Sequence, residues 1–178
     1  MMVILAVFMA VQQARADQND PRLDKLFGRL HVSDDRNEIR QIEIAIWQIW
    51  HQNKSDTVNL FMGQGIKAMQ NGALKHSLQL FNQVVNIAPD FAEGWNKKAT
   101  VLFYLGRYEE SIEACGKVLD LEPRHFGALS GLGMIYTELR NPKKALDAYQ
   151  RLLKVHPKAD NAKQKIKALK EVIEGSPT

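Results

Sequence analysis

Residues 92–125 read AEGWNKKATVLFYLGRYEESIEACGKVLDLEPRH, two stretches of periodic apolar residues split by Gly106-Arg107 and closed by Pro123. Apolar side chains recur in both stretches at spacings of three and four, the pattern of amphipathic helices, and the glycine between them can take the positive φ that ends a helix. Outward from this block, Pro89 stands 34 residues before Pro123 and Pro157 stands 34 residues after it. A 34-residue period filled by two helices is the mark of a repeat architecture, in which each helix pair buries its apolar face only against its neighbours.

Aligning on the prolines gives three units, 58–91, 92–125 and 126–159. The fourth position holds the bulky Phe61, Trp95 and Leu129, and the eighth holds the small Gly65, Ala99 and Gly133. In the second helix, Ser77, Ser111 and Ala145 occupy position 20, Phe81, Cys115 and Tyr149 position 24, and Val84, Val118 and Leu152 position 27. The turns within the units fall at Asn71-Gly72, Gly106-Arg107 and Arg140-Asn141, where glycine or asparagine suits the left-handed backbone that stops a helix. Asn141-Pro142 reads as an N-cap followed by proline at the first helical position, and Asp90 with Glu93 as a capping box. In period, small-large alternation and closing proline, the three units resemble the tetratricopeptide repeat family over their whole length. They depart from it at position 7, where Gln64 and Lys98 replace apolar residues before Leu132 restores the pattern, and at Ala68, which is small for position 11.

The expected fold is therefore all-α, an α-solenoid of antiparallel helix pairs. Residues 17–57 read as a further helical pair. Asp20-Pro21 opens a helix running to about Leu30, and Ser33-Asp34-Asp35 opens a second running to about Gln52. Counting back 34 residues from Phe81 and Val84 reaches Trp47 and Trp50, so the second helix reads as the remnant of a degenerate preceding unit. After the last unit, residues 160–178 carry Ala162, Ile166, Leu169 and Ile173 as an apolar stripe opposite lysines, the make-up of a helix that caps a solenoid and turns its polar side outward.

Residues 1–16 have a different composition: MMVILAVFMAV is followed by two glutamines and Ala14-Arg15-Ala16. A short apolar run ending in an A-x-A site is the pattern of a secretory signal peptide cleaved after Ala16, which implies a periplasmic or secreted protein; an uncleaved N-terminus would instead anchor the chain to a membrane. Cleavage would remove one basic residue, Arg15, of the 24, leaving 23 against 20 acidic residues, a formal charge of +3. So weak a balance does not suit a dedicated nucleic-acid binder. With Cys115 the sole cysteine, no intramolecular disulfide can form, and stability has to come from packing.

The residues offer no catalytic constellation and call for no cofactor or metal. His31, His51, His76, His125 and His156 are scattered without HExxH spacing, and His125 and His156, beside unit junctions, read as surface or loop residues. Glu109-Glu110 and Asp34-Asp35 sit where first-turn acids favour the helix dipole. Lysines 154, 158, 163, 165, 167 and 170 form the one notable charge cluster, a solvated face or a weak contact with anionic membrane or polymer.

The family resemblance implies a protein-binding scaffold rather than an enzyme. Its first helices would line a concave groove for a peptide or partner segment through positions 2, 5, 9 and 12. These are Asn59, Met62, Ile66 and Met69; Glu93, Asn96, Thr100 and Phe103; and Gly127, Ser130, Met134 and Thr137. Methionines and Phe103 would give adaptable apolar area, and Asn96, Thr100 and Ser130 would bond a peptide backbone. Family members that grip a chaperone's C-terminal carboxylate use Lys and Asn at positions 5 and 9 of their first unit. Met62 and Ile66 stand there instead, which speaks against such a clamp. With so few units, the N-terminal pair or the cap would cover some of these positions or leave them open.

Overall fold

The computed structural model describes residues 17–175. Among the described residues the chain forms nine α-helices and no strand: α1 (Arg22–Val32), α2 (Arg36–Trp50), α3 (Asp56–Gln70), α4 (Leu74–Ile87), α5 (Ala92–Tyr104), α6 (Tyr108–Leu121), α7 (Phe126–Glu138), α8 (Pro142–Val155) and α9 (Asp160–Glu174). Helices α3 to α8 are three stacked antiparallel pairs, and α9 packs on α8 through Ala162 and Leu169. Residues 1–16, expected to form a signal peptide, lie outside the described residues.

One chemical solution closes each pair. Gly72, Gly106 and Arg140 adopt positive φ of 74°, 72° and 51°. The next residue then donates its N–H five residues back: Ala73 to Ala68 O at 2.9 Å, Arg107 to Leu102 O at 2.9 Å and Asn141 to Tyr136 O at 2.8 Å. This is the Schellman termination, which satisfies carbonyls a helix end leaves open. In the third turn it is Arg140, not Asn141, that takes the left-handed conformation, because Asn141 has moved on to cap α8: its side chain accepts from Lys144 N.

Between the helices of a pair, the small residue at position 8 admits the ring at position 24. A Cβ on Gly65 would stand 2.7 Å from Phe81, and one on Gly133 2.5 Å from Tyr149. Ser77 Oγ donates to Gly65 O at 2.8 Å and Ser111 Oγ to Ala99 O at 2.7 Å, so two pairs also carry a buried polar tie. The third has Ala145 at that place, and Gly133 O is met by Thr137 Oγ1 of its own helix.

The N-terminal pair is not stacked as a preceding unit. Trp47 and Trp50 face His125 and Phe126, at the junction of the second and third units, and α1 and α2 share their core with α7, α8 and α9. The second core, built from α3 to α6 with part of α7 and α8, excludes them. The 34-residue count back from Phe81 and Val84 thus finds the aromatic residues but misplaces them, since an amphipathic helix can bury its stripe against any complementary apolar surface.

The α1–α2 hairpin instead runs along the row of turns that join one pair to the next. Gln18 Nε2 donates to Asp90 O at 2.5 Å and Gln18 Oε1 accepts from Ala92 N at 3.3 Å, at the first turn. At the second, Asp24 pairs with Arg124 at 2.7 Å, whose guanidinium also lies over the Phe27 ring. At the third, Glu43 meets His156, Asp34 meets Lys158 and Arg36 lies 3.7 Å from Asp160.

Candidate functional site

A cavity of about 200 Å³ opens between α5 and α7. Asn96, Thr100, Phe103, Ser130 and Met134 line it, with Ala99, Ser111 and Cys115 at its base. Burial pushes the Cys115 thiol up to about 12, so this sulfur packs as an inert apolar atom rather than acting as a nucleophile. Tyr104 and Met134, 59% and 44% exposed, stand at the mouth as uncovered apolar area.

The polar groups of the cavity are mostly acceptors. Asn96 Nδ2 donates to Glu93 Oε2 at 2.8 Å; a carboxylate can only accept, so the amide nitrogen must face it and the amide oxygen is left for the cavity. Thr100 Oγ1 spends its proton on Asn96 O at 2.9 Å and keeps lone pairs to offer. Such a lining suits the N–H groups of an extended segment.

The other expected groove residues have different surroundings. Asn59 is tied to the loop before α3, donating to Asn53 O at 2.7 Å and accepting from Asn53 N at 3.0 Å. Met62 is 3% exposed and belongs to the second core. With Ile66 it borders a separate depression of about 480 Å³ beside His51 and Gln52. Met69 packs on the second core, and exposed Thr137 lies beyond the residues that line the cavity.

At the N-terminal ends of α5 and α7 the groove is closed. Gly127 lies so near Trp47 that a Cβ there would meet the ring at 2.6 Å. Glu93, far from opening a capping box, is 1% exposed, and α5 is preceded by Phe91 with no side-chain cap. Its Oε2 faces His125 Nε2 at 3.2 Å, while Oε1 is held by ion pairing with Lys97 at 3.0 Å and His51 Nε2 at 3.2 Å. Burial alone would raise the Glu93 carboxyl. The His125 hydrogen bond, the Lys97 ammonium and the two imidazoles outweigh it and hold the group at about 2.

His125 and His156, expected on the surface, are buried, at 0% and 4% exposure. His125 Nδ1 accepts from Ala128 N at 3.2 Å and so caps α7, which puts the proton on Nε2, toward Glu93. Its ring stacks on Trp50 with centroids 4.1 Å apart and planes 11° from parallel. Nothing local in the sequence signals this cluster: each histidine looks like a turn residue until the hairpin is laid over it. Among the described residues no group of three or more His, Cys, Asp or Glu side chains is placed to hold a metal ion.

The stacked helix pairs and the Schellman turns define an all-α helical-repeat fold. A family model for the N-terminal TPR repeats region of Psidin matches residues 66–167. A TPR repeat-containing protein of Rhizobium etli is 34% identical over 169 residues, 94% of this chain and 83% of that protein. The small glutamine-rich tetratricopeptide repeat-containing protein 2 of Saccharomyces cerevisiae is 24% identical over 78% of this chain, which spans only 39% of that relative. The chain belongs to the tetratricopeptide repeat family. Among solved structures, the first TPR of Spaghetti (RPAP3) bound to the HSP90 peptide SRMEEVD superposes with a TM-score of 0.65 at 16% identity, covering 68% of this chain and 97% of that one. MamA does so with 0.64 at 17% identity, covering 80% and 87%. At such identities the likeness concerns the fold alone.

Proposed function

We propose that this protein is an exported adaptor that holds a peptide or partner segment against the open cavity between α5 and α7. Repeat proteins of this family mediate protein–protein contacts. The observation that carries the reading is the cavity itself: an apolar anchor fits among Phe103, Met134 and Cys115, while Asn96 and Thr100 accept from the backbone beside it. An adaptor of this kind fits a partly apolar, extended segment rather than a C-terminal carboxylate, since Met62 and Ile66 offer no charge.

Photo-crosslinking residues placed at Thr100 and Met134 in the native host, with Lys117 on exposed α6 as control, test it. Both groove positions should capture the same partner, the control should not, and Met134→Glu should abolish capture while the helical content is unchanged. Capture should persist at about 0.5 M salt, where screening reaches within a few ångströms. Loss in salt with Met134→Glu harmless would transfer the contact to the lysines of α9, the anionic-surface alternative. Export is tested by sequencing the N-terminus of the mature protein: a start at Asp17 supports it, and a start at Met1 overturns it.

A further inference from the structure

The α1–α2 hairpin lies on the repeats as a ligand would. It covers Glu93 and Gly127, two of the twelve groove positions, and its contacts come chiefly from α2: Glu43 to His156, Trp47 to Gly127 and Phe126, Trp50 to His125, His51 to Glu93. One helix therefore presents an acid, an aromatic residue one turn later and a second aromatic residue three positions on. The receiving surface answers with an imidazole, a phenyl ring and a stacked imidazole.

This seam is apolar in bulk but poorly satisfied in its polar atoms. Among the described residues, Trp50 Nε1 and His156 Nδ1 are buried without a hydrogen-bond partner, and both sit at the hairpin seam; Glu93 Oε1 beside them has only its ion-pair partners Lys97 and His51. A buried polar atom left unpaired carries a desolvation cost that separation into water removes. The repeats show nothing comparable: their buried serine hydroxyls all have partners. The hairpin is also outside the second core, so α3 to α6 keep their packing without it.

We propose that the surface beneath the hairpin, formed by Glu93, His125, Phe126, Gly127 and His156, is a second binding surface. It takes an amphipathic helix of the α2 kind from a partner protein, in competition with α2 itself. The site adjoins the open cavity at Gly127 but is otherwise built from different side chains, so it stands if the cavity binds nothing. The incoming helix carries an acid to meet His156 and two aromatic residues at i+4 and i+7 to meet Phe126 and His125, and the hairpin swings out about the loop at 51–55 to admit it.

The test uses the full chain and an acetylated, amidated peptide of residues 36–52 as the probe, with the same peptide bearing alanine at both tryptophan positions as control. Hydrogen exchange should show α1 and α2 opening at least tenfold more readily than α5 and α7, and the probe should slow exchange at the first turns of α5 and α7. Glu43→Lys, which sets a cation against His156 beside Lys158, should strengthen probe binding about tenfold. Trp50→Phe, which keeps the stacked ring and removes the unpaired N–H, should weaken it. Exchange of the hairpin in step with the repeats, together with probe affinity unchanged in both variants or equal for the alanine peptide, overturns the proposal. Because neither variant touches Thr100, Phe103 or Met134, these outcomes are independent of crosslinking at the cavity.

Discussion

Glu93 illustrates how far a single residue can depart from its local reading. In sequence it is an acid in a helix's first turn, where the dipole is reason enough for it. In the fold it is a fully buried carboxylate between two histidines and a lysine, held at about 2. Since its folded value lies below its unfolded value of about 4.5, its contribution is complete above pH 4.5 and is lost as the pH falls toward 2; the shift corresponds to roughly 3 kcal/mol. Urea unfolding at pH 7 and pH 3 should show Glu93→Gln destabilising the protein by about that amount at the higher pH and much less at the lower. At Gly133 the constraint is steric. Alanine there would drive a methyl into the Tyr149 ring at 2.5 Å and should cost about 1–3 kcal/mol, with Tyr149→Leu restoring part of the loss in a double-mutant cycle read by denaturant midpoint. Gly133 was legible from the repeat register, whereas Glu93 was not, because His125 reaches it from 32 residues downstream and His51 from the end of the N-terminal hairpin.

At the level of elements, the repeats were readable because every signal is local: a turn residue, a small residue eight places into the unit, a ring sixteen places later. The third turn is the exception that shows the mechanism. Arg140 carries a left-handed φ of 51° that glycine takes without strain, so Arg140→Gly should raise stability by about 0.5–1 kcal/mol, whereas Gly106→Ala should lower it by a similar amount or more, both measurable as shifts in thermal midpoint. The hairpin was legible as two helices with a tryptophan pair, but not in its location. A stripe of Ile39, Ile42, Ile46 and Ile49 states that a helix is buried and says nothing of which surface buries it. The same ambiguity governed the groove: position numbers gave the face, and only the fold showed that the hairpin closes one end, Asn53 engages Asn59 and Met62 drops into the core.

Over the whole molecule, two of the three tryptophans, Trp47 and Trp50, report on the hairpin seam, while Trp95 is bonded to Pro89 O within the repeats. Fluorescence in a urea titration should therefore change at lower denaturant than far-UV circular dichroism. Replacing Trp47 and Trp50 by phenylalanine should leave a fluorescence signal that follows the helices. Coincident transitions in the parent protein would mean that the hairpin and repeats melt as one unit.

The three turns gripped by the N-terminal segment sit at Asp90, Arg124 and Lys158, one repeat length apart, and their counterparts are Gln18 just before α1, Asp24 within it and Asp34 in the loop after it. An open solenoid can gain or lose a unit and remain a solenoid. Here an inserted repeat would carry the last turn beyond the reach of Asp34, and a deleted one would leave that carboxylate facing nothing. The hairpin thus acts as a gauge of length, matched in this chain to three repeats.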